Sequence, residues 1–227
     1  MTTGQWLRPP EVDPEATVRL FLFHYAGGGI GMYSRWPTLL PSSIACQRVH
    51  LPGRHERHRE PLLTSLEPLL EQLVEIFESE PDERPYVLFG HSMGALLAYR
   101  LGVALRAAGL AGPSLVAAAA WSPTGLPIAS DSARAAVTAE LAFTDALQAD
   151  IAVVTGYRDD GAKLDCPVVA YAGSDDPLVP AGAMRAWAER TPAYLGCREF
   201  PGGHFFIREQ GEAVAADLVQ VIQQRMP

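Results

Sequence analysis

What this chain lacks already excludes several roles. It has only three cysteines, Cys46, Cys166 and Cys197. Their odd count suits no closed disulfide framework, and their spacing suits no zinc site, so reduced, partly buried thiols are expected. No apolar run approaches the ~20 residues of a membrane-spanning helix. The start, Met1-Thr2-Thr3-Gly4-Gln5-Trp6, lacks the basic segment and apolar core of a secretory signal, so a cytoplasmic setting is expected. Positive charge is in short supply: the net charge is −8, which argues against nucleic acid or an anionic membrane as partner. One basic cluster stands out, Arg54-His55-Glu56-Arg57-His58-Arg59. The triplet Gly27-Gly28-Gly29 lacks both the Lys-Ser/Thr of a phosphate-binding loop and the G-x-G-x-x-G register. No metal cluster or dinucleotide motif is visible, so neither a metal nor a cofactor is expected.

What is present is an ordinary globular composition, 48% hydrophobic and 19% charged, over a length that suits one domain spanning residues 1–227. Strand-like runs fall at residues 18–25, 46–51, 86–89, 115–121, 167–172 and 198–200. Helical patterns lie between them at residues 66–79, 92–108 and about 209–224, with Pro81 just past the first. This alternation implies a mainly parallel sheet with helices on both faces. Residues 122–165 break the rhythm with an Ala-rich, helical insertion. It reads as a lid over the site or as a plain crossover helix with a long loop.

The densest signal is Tyr86-Val87-Leu88-Phe89-Gly90-His91-Ser92-Met93-Gly94-Ala95. An apolar strand runs into G-x-S-x-G and directly on into a helix, which marks Ser92 as a candidate nucleophile on a sharp turn. A serine hydroxyl needs a general base, and the base needs an orienting acid. Of the six histidines, His91 points away from the hydroxyl, His24 ends a strand, and His50, His55 and His58 lie in or beside the basic cluster. Only His204, in Pro201-Gly202-Gly203-His204-Phe205-Phe206, closes the chain order nucleophile, acid, histidine. Two aspartates after the strand at residues 167–172 compete for the acid. Asp176 fits the spacing, and Asp175 sits one residue early as a turn former. Oxyanion donors are expected at the amide of Met93 and in the loop at residues 25–29, with Ala26 favoured.

Several of these segments resemble type II thioesterases of polyketide and nonribosomal peptide biosynthesis. Phe23-His24-Tyr25-Ala26-Gly27-Gly28 is similar to F-P-x-A-G-G, and Tyr33-Ser34-Arg35-Trp36 to Y-x-x-W. The stretch from Leu51 through Arg54 and Arg57 to Pro61 resembles L-P-G-R-x-x-R-x-x-E-P, and Phe200 to Phe206 resembles F-P-G-G-H-F-F. The resemblance implies an α/β-hydrolase fold. It also implies hydrolysis of acyl groups from the phosphopantetheine arm of an acyl or peptidyl carrier protein, through an acyl-Ser92 intermediate. Oxyanion amides at Ala26 and Met93 follow from the same likeness. No cofactor is implied beyond the substrate's own arm, and a monomer is expected. Two departures stand out: His24 replaces a proline, and residues 122–165 are shorter than that family's lid. A short lid implies a wider or more exposed acyl channel. His24 and Tyr25 are candidate substrate contacts, with simple packing as the alternative for His24. Arg54 and Arg57 are candidate carrier contacts, with an internal ion-pair loop joining Arg57 to Glu60 as the alternative. The competing functions are a carboxylesterase or lactone-forming hydrolase, and a non-hydrolytic cyclase or binding module on the same fold.

Overall fold

The computed structural model describes residues 3–79, 82–126, 131–142 and 144–226. Met1, Thr2, Pro81 and residues 127–130 and 143 of the expected lid lie outside them. Seven strands form one sheet: β1 (Leu7–Arg8), β2 (Val18–Phe23), β3 (Ile44–Val49), β4 (Tyr86–His91), β5 (Leu115–Ala119), β6 (Val168–Gly173) and β7 (Tyr194–Phe200). Their order across the sheet is β1-β3-β2-β4-β5-β6-β7. Every pairing is parallel except that of β1 with β3. Strands buried on both faces need apolar side chains at successive positions rather than at every second one. β2, with the sequence VRLFLF, is buried throughout, and β5 and β6 likewise.

Alternate side chains of these strands feed two cores. Phe21, Phe23, Leu88, Val116 and Ala170 face the side packed by α2 (Leu66–Glu78) and α3 (Met93–Ala107). Leu20, Leu22, Val87, Phe89 and Tyr171 face the side packed by α6 (Ile207–Arg225). α2 buries Leu66, Leu69, Leu73 and Ile76, the three- and four-residue spacing of one helical stripe. α3 runs against the sheet and is buried along most of its length, so its small Ala and Gly residues set how closely it approaches. A short helix, α1 (Thr3–Trp6), precedes β1.

The sequence-based elements are all present, with shifted ends. β7 starts four residues earlier than expected because the whole stretch from Tyr194 pairs with β6. α6 is longer than expected, and α3 starts at Met93, leaving Ser92 as its cap. The insertion resolves into two helices, α4 (Asp131–Ala139) and α5 (Asp145–Gly156). The three cysteines are free. No helix among the described residues is long and apolar enough to cross a membrane.

Candidate active site

In an open parallel sheet, ligand sites form where the strands' carboxyl ends meet the loops that follow them. β2, β4, β6 and β7 each deliver one piece here. β4 ends in the elbow, where Ser92 adopts φ 53° and ψ −118°. That left-handed backbone is costly for a non-glycine residue and persists only when its surroundings enforce it. They do so on both sides: Ser92 N donates to Ala119 O at 2.8 Å, while Ser92 O accepts from Ala95 N at 2.9 Å.

Ser92 Oγ lies 2.9 Å from His204 Nε2, and His204 Nδ1 lies 2.9 Å from Asp176 Oδ2. All three side chains are buried. The other carboxylate oxygen, Asp176 Oδ1, accepts from Leu178 N at 2.8 Å and Val179 N at 3.1 Å. Two backbone donors therefore lock the carboxylate in its orientation toward the imidazole. Asp175 turns outward and takes a hydrogen bond from Ser174 Oγ, so of the two competing aspartates Asp176 is the one brought to His204. His91 does point away from the hydroxyl, but it has a task that the sequence does not reveal. Its Nε2 donates to the His204 carbonyl at 2.7 Å, fixing the loop that carries the triad histidine. Burial pushes the His91 pKa well below the ordinary histidine value, with the neighbouring His204 as the next cause.

Ala26 and Ser92 both line a cavity of about 320 Å³. Met93 occupies the first position of α3, where a helix offers its amide no intrahelical partner. The cavity walls come from Tyr25 and Phe205 on one side and from the insertion on the other: Val137, Leu141, Leu147, Ile151 and Val154. The insertion is thus a cover over Ser92 rather than a plain crossover. Among the described residues, α4 and α5 border a space at the lower end of ligand-site volumes. Tyr25 lines it as expected, its hydroxyl accepting from Arg208 Nε at 3.2 Å.

Three expectations are corrected. His24 does not line the cavity; it is 2% exposed and packs beneath the loop, its Nδ1 donating to Tyr25 O. Arg54 is 7% exposed and forms a two-pronged pair with Asp150 at 2.7 and 2.9 Å. Arg57 is likewise buried, pairing with Glu60 through two bonds and lying over the Trp6 ring. Neither guanidinium is presented to a carrier protein. The internal ion-pair alternative is the one found: Arg57 meets Glu60 three positions on, and Arg54 meets Asp150 from a distant segment.

Burial lowers the His24 pKa to about 4, with Arg54 as the second cause, and also lowers those of His91 and His50. An unfolded histidine takes up its proton near pH 6.5. Stability is therefore complete above that pH and falls as pH drops toward 4, where the unfolded chain binds more protons. His24 alone is expected to remove about 2 kcal/mol between pH 7 and pH 5. Urea titrations at the two pH values check this, and His24→Gln should flatten the difference; an unchanged difference contradicts it.

Among the described residues, no group of three or more His, Cys, Asp or Glu is placed to hold a metal ion. Comparison with known proteins follows the same line as the geometry. The thioesterase domain family matches residues 18–141. Thioesterase PikA5 of Streptomyces venezuelae is 30% identical over 238 aligned positions, covering 95% of this chain and 85% of that protein. Those positions outnumber the 227 residues of the chain, so the relative carries residues with no counterpart here. Among solved structures, RedJ, a thioesterase from the prodiginine biosynthetic pathway in Streptomyces coelicolor, superposes with a TM-score of 0.81 at 31% identity. That match covers 90% of this chain and 85% of RedJ. BorB, the type II thioesterase of the borrelidin biosynthetic cluster, has a TM-score of 0.81 at 29% identity over 97% of both chains. With more than half of its length inside the family match and an α/β-hydrolase architecture shared with these enzymes, the chain belongs to the thioesterase domain family.

Proposed function

We propose that this thioesterase hydrolyses acyl groups from the phosphopantetheine arm of a carrier protein in polyketide or nonribosomal peptide biosynthesis, to clear or release bound chains. The observation that carries the reading is the Ser92–His204–Asp176 relay, with 2.9 Å at each step, opening into an acyl-sized cavity of mixed, mainly apolar lining. Ser92 Oγ attacks the thioester carbonyl as His204 Nε2 takes its proton. Asp176 keeps the Nδ1–H tautomer in place and stabilises the imidazolium. Negative charge develops on the carbonyl oxygen and is met by the Met93 and Ala26 amides, the first reinforced by the α3 dipole. The C–S bond breaks, and the leaving thiolate receives the proton from His204. Water then enters, gives a proton to His204 and attacks the acyl carbon. As the bond to Ser92 Oγ breaks, His204 returns that proton to Oγ, releasing the acid and restoring the triad. No cofactor takes part beyond the substrate's own arm.

The thioesterase activity named for PikA5 supports the reaction, and the biosynthetic settings named for RedJ and BorB support the pathway class. Val137, Leu147, Ile151 and Val154 of α4 and α5 support an acyl substrate. The test compares one acyl group on a carrier protein and as a free ethyl ester. Binding energy from the arm and the carrier, realised at the transition state, should raise kcat/KM for the carrier substrate at least about tenfold. Equal values, or preference for the ester, would favour a carboxylesterase.

A further inference from the structure

The loop that carries the Ala26 amide is held from outside itself. Tyr25 O accepts two hydrogen bonds, from Gly28 N at 2.9 Å and from His24 Nδ1 at 2.8 Å. In a planar trans peptide the carbonyl and the following N–H point in opposite directions. Pinning the Tyr25 carbonyl beneath the loop therefore turns the Ala26 N–H away from it, and Ala26 lines the cavity that contains Ser92. The next peptide is held as well: Gly27 N donates to Asp150 Oδ2 at 2.8 Å.

Asp150 comes from α5, in the insertion, 123 positions along the chain. One turn earlier Leu147 packs on the same glycine, with its Cδ1 only 3.0 Å from where a Gly27 Cβ would stand. Arg54 grips both oxygens of the carboxylate, and Asp150 is only 1% exposed. A desolvated, two-pronged pair of this kind has a defined geometry that a surface ion pair lacks. α5 therefore performs two tasks: Leu147, Ile151 and Val154 wall the cavity, while Asp150 reaches the loop beside it.

We propose that Asp150 is a positioning residue that fixes the oxyanion loop to the cover helix, with Arg54 holding its carboxylate and His24 orienting the peptide before the oxyanion amide. The inference rests on Ala26 as an oxyanion donor, as set out above. A purely structural ion pair would produce a different pattern of effects. Removing one partner strands a buried charge, whereas removing both leaves none. The test therefore pairs Asp150→Asn, which keeps an acceptor for Gly27 N, with the double variant Arg54→Met/Asp150→Leu, which removes the charges together. Measurements are kcat, KM and thermal midpoint on an acyl thioester, beside wild type and Ser92→Ala.

The double variant should keep a midpoint near wild type and a KM within about twofold, with kcat down about 10²-fold, the scale of losing one oxyanion donor. Asp150→Asn should recover much of that loss. A double variant with wild-type kcat, or one that changes KM alone, would overturn the inference. If the double variant does not fold, His24→Phe carries the test. A kcat lowered about tenfold at unchanged KM supports the inference, and an unchanged kcat overturns it. An active Ser92→Ala would overturn the reading of the site and this inference with it. An inactive Ser92→Ala beside fully active Asp150 variants would overturn this inference alone.

Discussion

Ser92→Ala should lower kcat for thioester hydrolysis by a factor on the order of 10⁵ to 10⁶ and leave the fold intact. The scale follows from the roles. Without the hydroxyl there is no acyl-enzyme, and what remains is the slow attack of water on a substrate held by the oxyanion amides. His204→Ala should cost about as much, and the double variant should be no worse than either single one, because the residues act as one unit. Asp176→Asn should cost less, on the order of 10⁴, since it offers the imidazole a donor where an acceptor is needed. Losses that simply multiplied in the Ser92/His204 double variant would mean that the two side chains work separately, against the 2.9 Å contact between them. The alanine is expected to fold because it asks no more of the φ 53° backbone than serine does.

Gly94→Ala should be among the most disruptive small substitutions at the described residues, alongside Gly90→Ala. A Cβ at Gly94 would lie 2.1 Å from the Phe23 carbonyl oxygen and 2.6 Å from its carbon. These are backbone atoms of β2, which cannot retreat because the strand is paired with β3 on one side and β4 on the other. Overpacking against backbone belongs at the upper end of the usual range, about 3 kcal/mol or more. For a chain of this size that corresponds to a thermal midpoint lowered by roughly 6–12 °C. Any molecule that does fold should also be impaired, since pushing Phe23 displaces the loop leading to Ala26. Gly112→Ala is the control: nothing lies within 4 Å of its added Cβ, so its midpoint should stay within a degree or two. Equal midpoints for the two variants would contradict the close approach of α3 to β2.

The triad could be read from the sequence because each member sits in a short segment that announces itself. Ser92 is flanked by the glycines that a strand-to-helix elbow requires, and His204 and Asp176 follow strands in the expected chain order. The alternating apolar runs similarly disclosed the parallel sheet, since two-face burial leaves a local mark. Asp150 left no such mark. Its partners lie 96 and 123 positions away, and an aspartate on an Ala-rich helix otherwise reads as a solvated one. Arg54 hid its burial for the same reason, whereas the Arg57–Glu60 pair, three positions apart, was legible as an alternative. A basic cluster is indistinguishable in sequence from a docking patch until Asp150 and Trp6 arrive to bury it. β1 was missed because two residues pairing with a strand edge carry no periodicity. His91 illustrates the limit within the elbow itself: its orientation was legible, but the carbonyl it holds was not.

The most direct measurement is labelling with a serine-directed fluorophosphonate followed by peptide mass spectrometry and assay of the same sample. The relay and the oxyanion amides should direct the reagent to Ser92 alone. Thioesterase activity should fall in step with the labelled fraction, and Ser92→Ala should take up no label. Label on a different residue, or full occupancy of Ser92 with turnover undiminished, would contradict the assignment of Ser92 as the nucleophile.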